Sequence, residues 1–372
     1  MVDYMKYYSK TYEASRQAFH ETVNHYKNMW NDVRIWDAEV VENRFIDFAM
    51  FNSIVKKNLL CITSGLHGIE GYVGAAVIRY FVDRFSDVLS PEDTSILLVH
   101  AINPYGMAQY ERNNEHNVDL NRNFVRSWDN ISSNKAYMSE RDYFESTTVL
   151  GDPLFNKIDF FFTTLGQLIR TKPEVFKNAL LRGQYSSPDG LYYGGNGYER
   201  STKLMIESFK NLFEENYNKM LFIDLHTGYG PKDKMLIVSS ALEKYSSSKL
   251  KNLFSYPEVR KTDKEEFYSI NGDMTDYLYH LNRIYAPEKT FYACAFEFGT
   301  FGEDLFGLLK SLRNTINARK IKKGLVSPDH LDHYKTEYTQ MFYPSDNLWR
   351  VDALKQAEKA MKGIFKAFNY IR

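Results

Sequence analysis

The segment Leu59–Gly71 (LLCITSGLHGIEG) joins an apolar run to a glycine-rich turn. The run Leu59–Ser64 is continuously apolar, which is typical of a strand buried on both faces of a parallel sheet. A helical pattern, Val73–Phe85, follows the turn, so the segment predicts a strand, a loop and a helix in succession. Open α/β sheets carry their functional sites on loops at the carboxyl ends of strands. The segment therefore predicts both the fold class and the position of a site.

Four more apolar runs share this buried-strand character: Ile96–Ile102, Met220–Leu225, Met235–Ser239 and Phe291–Phe298. Helical patterns lie between the runs and also near both ends of the chain, at roughly 9–30 and 351–370. The alternation predicts an α/β fold with a mixed, mostly parallel twisted β-sheet and helices on both faces. Because no repeat or Pro/Gly-rich linker marks a boundary, we expect a single catalytic domain over 1–372. Its core is expected at about 55–305, with an N-terminal helical segment, an insertion at about 126–190 and a C-terminal helical extension.

The composition excludes several classes of protein. The 372 residues include 47 Lys+Arg and 47 Asp+Glu, so the formal net charge is zero and no basic excess favours nucleic-acid binding. No run of 18 apolar residues predicts a membrane span. The polar N-terminus lacks the apolar core of a secretion signal, so we expect no membrane partner and a cytoplasmic location. Cys61 and Cys294 lie in apolar runs and are expected to be buried free thiols. The oligomeric state stays open.

Three residues have the chemistry of a zinc site. His67 and Glu70 lie three residues apart on the glycine-rich turn, and His226 follows the apolar run Met220–Leu225. A His-x-x-Glu pair alone is a weak signal, because it occurs often by chance. Catalytic zinc, however, takes three protein ligands from imidazole and carboxylate groups and keeps a fourth position open. The combination predicts a zinc site, and whether a second metal lies nearby stays open.

Two arginines and a glutamate complete the candidate chemistry. Arg112 and Arg122 lie ten residues apart in a polar loop, and guanidinium forks suit a carboxylate or a developing oxyanion. Arg122 lies between two asparagines, Asn121 and Asn123, as a candidate carboxylate clamp. Glu297 ends an apolar run, so we expect it to be partly desolvated, which favours a general base with a raised pKa.

The motifs resemble a known family when they are taken in order. The order is His67-x-x-Glu70, Asn103-Pro104-x-Gly106, Arg112, Asp119-Leu120-Asn121-Arg122-Asn123-Phe124, Asp224-x-His226 and Phe296-Glu297-Phe298-Gly299. This order and spacing resemble the zinc metallocarboxypeptidases of the carboxypeptidase A type, and within that superfamily a mainly bacterial branch. The matched frame covers about 55–305, roughly two thirds of the chain.

The resemblance implies a role for each matched residue. The implied zinc ligands are His67, Glu70 and His226, with Asp119 orienting His67. Carbonyl polarisation is implied for Arg112, terminal-carboxylate binding for Asn121 and Arg122, and the general base for Glu297. A mobile tyrosine that closes over substrate is implied at Tyr268, with Tyr277 and Tyr279 as rivals, and Thr275 matches the position that sets side-chain preference.

Three functions remain open from the sequence. The favoured one is a zinc metallocarboxypeptidase that hydrolyses an amide bond next to a free carboxylate in a small peptide. The alternative is an N-acyl-amino-acid deacylase similar to aspartoacylase and succinylglutamate desuccinylase, whose motifs are shared. The third is a zinc-binding pseudoenzyme that acts as a binding module, which the intact set of ligands, Arg112 and Glu297 disfavours.

Overall fold

A computed structural model describes residues 3–30, 32–131, 133–171, 175–176, 178–179, 182–262 and 272–371. The strands are β1 Asp32–Val41, β2 Arg44–Asn52, β3 Asn58–Ser64, β4 Thr94–His100, β5 Lys219–Gly228, β6 Met235–Ser239, β7 Val259–Lys261 and β8 Thr290–Gly299. The α-helices are α1 Tyr12–Tyr26, α2 Gly71–Phe85, α3 Pro104–Gln109, α4 Lys135–Ser139, α5 Arg141–Phe144, α6 Pro153–Arg170, α7 Arg200–Glu214, α8 Ser247–Phe254, α9 Met274–Tyr285, α10 Leu305–Lys322, α11 Leu331–Phe342 and α12 Asn347–Ala367. Short 3-10 helices cover Met5–Tyr7, Lys27–Met29, Gly68–Glu70, Leu120–Arg122, Trp128–Asn130 and Pro328–His330.

The eight strands form one sheet in the order β1-β2-β4-β3-β5-β8-β6-β7. The central strands β4, β3, β5 and β8 are parallel, whereas β2 is antiparallel to β4 and β6 is antiparallel to β8. Alternate residues of β3 point to opposite faces: Leu60 and Ile62 pack in one core, and Leu59 and Cys61 pack in the other. Helices α1, α2, α8 and α12 cover the first face, and α7 and α9 cover the second. The predicted α/β fold with a mixed, mostly parallel sheet is confirmed.

The predicted strands correspond to β3, β4, β5, β6 and β8, with ends that differ by a few residues. The sheet also contains β1, β2 and β7, which the apolar runs did not predict. β1 is an edge strand whose residues are all exposed or half-buried, so it lacks a continuous apolar run. The sheet thus extends beyond the predicted frame of about 55–305. None of the helices in the described ranges has both the length and the apolar character that a membrane crossing requires.

A buried carboxylate on β2 connects the N-terminal helix to the sheet. Asp47 is fully buried, and Arg16 on α1 donates from Nε to both of its oxygens at 2.9 Å. His20, one turn later on α1, places Nε2 2.9 Å from Asp47 Oδ1. Burial alone would raise the pKa of Asp47, but His100, His20 and Arg16 together hold it below its ordinary range. The charged carboxylate is therefore part of what keeps α1 on the sheet.

We predict that Asp47→Asn destabilises the protein by about 3 kcal/mol, because Asp47 is the fully buried anionic partner of Arg16 and a neutral amide cannot replace its charge. Asp37→Asn is the matched control, since Asp37 contacts the same Arg16 but is largely exposed, so its loss should change stability by less than about 1 kcal/mol. Because the folded-state pKa of Asp47 is depressed, its contribution is present above about pH 4 and is lost as the pH falls further. Urea unfolding at pH 7 and pH 3 measures both effects. Equal losses in the two variants at pH 7 would contradict the prediction.

Candidate metal and substrate site

The candidate site lies at the carboxyl ends of β3, β5 and β8. His67 follows β3, Glu70 ends the 3-10 helix Gly68–Glu70, and His226 and Glu297 are register partners on the adjacent parallel strands β5 and β8. The turn after β3 requires a glycine at 68, because a Cβ there would lie 2.2 Å from the carbonyl carbon of Gly106. The sheet thus brings together residues from three distant parts of the sequence: His67 with Glu70, His226, and Glu297.

His67, Glu70 and His226 converge on one point. Their candidate ligand atoms all lie within 4.8 Å of one another, and all three residues are buried. His67 Nδ1 lies 3.0 Å from Glu70 Oε1, His226 Nδ1 lies 3.2 Å from Glu70 Oε2, and the two Nδ1 atoms are 3.2 Å apart. The structure therefore brings together the three residues that the sequence predicts as zinc ligands.

A second carboxylate contacts the other nitrogen of each histidine. Asp119 Oδ1 lies 3.0 Å from His67 Nε2, and Asp224 Oδ2 lies 2.5 Å from His226 Nε2. A proton on each Nε2 leaves both Nδ1 atoms available as metal ligands, which is the usual arrangement around a bound metal. The resemblance implied that Asp119 orients His67, but it implied no role for Asp224. Its position two residues before His226 on a strand, hence on the same face, is the signal that could have found it.

The histidines and carboxylates of the site shift one another's pKa values. Burial alone would lower the pKa of His226, but Asp224 and Glu70 hold it well above its ordinary value. Burial would raise the pKa of Asp119, but Arg112, Arg122 and His67 hold it well below its ordinary value. Two imidazole nitrogens and one carboxylate are a donor set that zinc accepts. The residues present therefore fit a zinc ion.

A second His/Glu cluster lies at the surface. Glu115, His116 and Glu199 have ligand atoms within the same 4.8 Å limit, but the His116 side chain is 67% exposed and pairs with Glu199 at 2.7 Å. Burial and oriented partners distinguish the cluster of His67, Glu70 and His226 from this one.

Arg112 lies against the ligands. It donates from Nη1 to Glu70 Oε1 at 3.1 Å and from Nη2 to Asp119 Oδ2 at 3.2 Å, and its Nη2 is 2.7 Å from His67 Nε2. Its side chain is about one-fifth exposed and borders the cavity that contains the site. This position would allow the guanidinium to contact a substrate oxygen next to the ligand cluster.

Asn121 and Arg122 border the same cavity. Asn121 is fixed because its amide donates to Asp273 Oδ2 at 3.1 Å and its Oδ1 accepts from the Met274 backbone amide at 2.9 Å. The Arg122 side chain packs on Gly183, where a Cβ would lie 2.6 Å from its Cδ, and φ at Gly183 is +74°. At Gly183 the backbone therefore makes room for the Arg122 side chain.

Glu297 borders the cavity beside the ligand cluster. Burial raises its pKa to about 8, with Glu70 and Asp224 adding to the rise and His226 and Arg112 opposing it. This agrees in direction with the raised pKa expected of a general base. Thr275 also borders the cavity, whereas Tyr268 lies outside the described residues.

The two rival tyrosines of Tyr268 are core residues. Tyr277 is buried against Phe124, and Tyr279 donates its hydroxyl to Glu243 Oε2 at 2.7 Å. Neither belongs to the cavity lining in the described part of the chain.

The cavity has a volume of about 460 Å³. Its polar lining comes from strand ends and loops and includes His67, Glu70, Arg112, Asn121, Arg122, His226 and Glu297. Its apolar lining comes mainly from α10, with Leu305, Leu308, Leu309 and Leu312. Leu168 of α6 and Phe176 complete this lining. Met341 and Phe342, at the end of α11, also contribute. Residues of the expected insertion and of the C-terminal extension therefore both line the site.

Solved structures similar to this chain include several of the class that the motifs resemble. The carboxypeptidase A from Helicoverpa armigera is 14% identical, with a TM-score of 0.47, over 94% of this chain and 74% of that chain. Bovine thrombin-activatable fibrinolysis inhibitor, solved with tick carboxypeptidase inhibitor, is 14% identical, with a TM-score of 0.46, over 86% of this chain and 97% of that chain. A protein assigned to the succinylglutamate desuccinylase/aspartoacylase family, from Shewanella amazonensis SB2B, is 18% identical, with a TM-score of 0.38, over 79% of this chain and 73% of that chain.

A family match covers most of the chain. No curated protein matches this chain. Residues 8–356, which include every strand and every site residue described above, match the family DUF2817, whose description is "protein of unknown function". The chain therefore belongs to the DUF2817 family.

Proposed function

We propose that this protein is a zinc-dependent hydrolase of the metallocarboxypeptidase type, which cleaves an amide bond next to a free carboxylate. The observation that carries the proposal is the convergence of His67, Glu70 and His226 in one cavity with Arg122 and Glu297. A ligand cluster, a carboxylate of raised pKa and a buried guanidinium are the three parts that such a reaction needs.

Each part has a distinct task in the proposed reaction. When bound, a zinc ion would supply Lewis-acid chemistry, which activates water and polarises a carbonyl. Glu297 takes a proton from the attacking water as the new C–O bond forms, and then delivers it to the leaving nitrogen as the C–N bond breaks. Arg112 donates to the oxyanion of the tetrahedral intermediate and so stabilises its charge.

Arg122 and Asn121 recognise the substrate carboxylate. A guanidinium presents two parallel N–H donors to a carboxylate, and Arg122 is only 2% exposed, so that ion pair would form in a poorly solvated place. Asn121 is held beside Arg122 because it donates to Asp273 and accepts from the Met274 backbone amide. The carboxylate therefore fixes which amide bond lies next to Glu297.

The N-acyl-amino-acid deacylase is kept as the second candidate. It needs the same ligands, base and clamp, and differs only in what lies on the acyl side of the scissile bond. The apolar lining from α10 favours an acyl group there. Turnover of blocked dipeptides compared with N-acyl amino acids separates the two, and no turnover of either would favour the binding module.

We predict that the protein binds one zinc ion per chain and that the double variant His67→Ala, His226→Ala does not. His116→Ala, in the exposed cluster, is the control and should keep its metal. Elemental analysis of protein purified without chelator measures the zinc content per chain. After removal of bound metal with a chelator, added zinc should raise the Tm of the control variant and leave the Tm of the double variant unchanged. The reason is that a ligand stabilises only the state that binds it. Metal retained by the double variant would refute the ligand set.

We predict that Glu297→Gln lowers kcat by about 10²–10⁴-fold while the zinc content stays unchanged, because glutamine cannot accept the proton. Substrate affinity should change much less, since it depends on Arg122, Asn121 and the metal. Glu288→Gln, at an exposed position just before β8, is the control for the substitution itself. Loss of metal in Glu297→Gln would identify a fourth ligand, and near-normal turnover would place the base elsewhere.

We predict that amidating the substrate carboxylate lowers kcat/KM by at least about 30-fold, because a buried charge without its partner costs about 2–5 kcal/mol. Arg122→Lys keeps the charge but loses the fork, so its preference for the free carboxylate should be clearly smaller. Arg126→Lys, at an exposed position four residues later, should keep the full preference. Equal rates of the wild type on both substrates would show that Arg122 instead supports the loop.

A further inference from the structure

One wall of the cavity is apolar and continues to the surface. Leu305, Leu308, Leu309 and Leu312 of α10 line it together with Leu168 of α6. Leu305 is 63% exposed and Leu308 is 48% exposed, so the wall opens at its outer end. Exposed apolar surface that continues into a ligand cavity marks a place where an apolar group binds.

The apolar wall begins beside the arginines. The Tyr192 ring centre lies 5.9 Å from the guanidinium carbons of both Arg112 and Arg122. The same ring packs against a core cluster that contains Leu312 and Phe176, two residues of the cavity lining. Polar and apolar parts of the cavity therefore meet at Tyr192, and a molecule bound in the polar part can extend directly along the leucines.

The wall suits a hydrocarbon chain better than a polypeptide. Each residue of a peptide carries an N–H and a C=O that need partners when they leave water. Among the cavity-lining residues of 302–312, which comprise the first turns of α10 and the residues before it, the polar side chains are Ser311 and Glu303, and Glu303 is paired with Arg260 at 2.9 Å. The backbone groups within α10 are satisfied by the helix itself. An acyl chain has no polar groups to satisfy, so its burial there carries no such penalty.

We propose that the substrates are N-acyl amino acids with a medium or long acyl chain, in which the chain lies along Leu168 and the α10 leucines. The inference rests on the proposed function and names the substrate class of that site. It uses complementarity at both ends, since Arg122 matches the carboxylate and the leucines match the chain. Hydrolysis would add water across the amide bond and release a fatty acid and a free amino acid.

The test is kcat/KM for N-acetyl, N-octanoyl and N-dodecanoyl derivatives of alanine, phenylalanine and lysine, each with a free carboxylate. A buried methylene improves transfer from water by about fourfold, so the octanoyl substrates should exceed the acetyl ones by at least about tenfold, even with partial burial. Turnover of acetyl substrates or blocked dipeptides with no gain from longer chains would overturn the inference and leave the proposed function intact. No turnover of any amide would reject the proposed function.

A binding measurement distinguishes failure of this inference from failure of the proposed function. N-dodecanoyl-alanine should bind the chelated, metal-free protein at least about tenfold more tightly than N-acetyl-alanine in isothermal titration calorimetry. Equal affinities would overturn the inference whatever the turnover.

Leu308→Ser and Leu168→Ser should reduce the ratio of dodecanoyl to acetyl kcat/KM severalfold. Leu348→Ser, at the start of α12 and 76% exposed, makes the same substitution at a leucine outside the cavity lining and should keep the wild-type ratio. A wild-type ratio in both Leu308→Ser and Leu168→Ser would overturn the placement of the chain.

Discussion

The buried carboxylate of Glu70 is the constraint on which the candidate site depends. Glu70 is 1% exposed, and burial alone would raise its pKa, but His67 and His226 hold the pKa below its ordinary range. Its Oε2 also accepts the Thr227 backbone amide at 2.9 Å, and its Oε1 accepts from Arg112. A buried charge is tolerated only when such partners replace its hydration. The positions of both histidines are therefore set by the same carboxylate that they would share a metal with.

The sheet and the C-terminal segment together make this arrangement rigid. Parallel pairing of β5 with β8 puts His226 next to Glu297, and pairing of β3 with β5 puts the turn of His67 next to both. Thr227 donates its hydroxyl to the Phe342 carbonyl at 2.7 Å, so α11 is fixed against the end of β5. Elements that are far from the candidate metal ligands in sequence thus hold the walls of the cavity at a fixed distance from its base.

The sequence predicted those parts whose signal is local. Continuous apolar runs identified the buried central strands, and ordered motifs identified His67, Glu70, His226, Arg122 and Glu297, which the structure places around one cavity. The edge strand β1 was missed because its residues are all exposed or half-buried, so its sequence has no continuous apolar run. The wall of α10 was missed for a different reason. Its leucines have ordinary helical spacing, and only the tertiary structure shows that several of them face a cavity instead of a core.

The division of the cavity into polar and apolar parts also separates two kinds of free energy. In the proposed function, contacts made by Arg122 are directional, so they would decide which bond lies beside Glu297 and would penalise a ligand that lacks the carboxylate. Contacts made by the α10 leucines are non-directional and scale with buried area, so they add affinity without fixing a register. Because Tyr192 lies beside both parts, a ligand held by Arg122 would have the apolar wall directly next to it. A site built in this way can require one end group strictly and still accept acyl chains of different length.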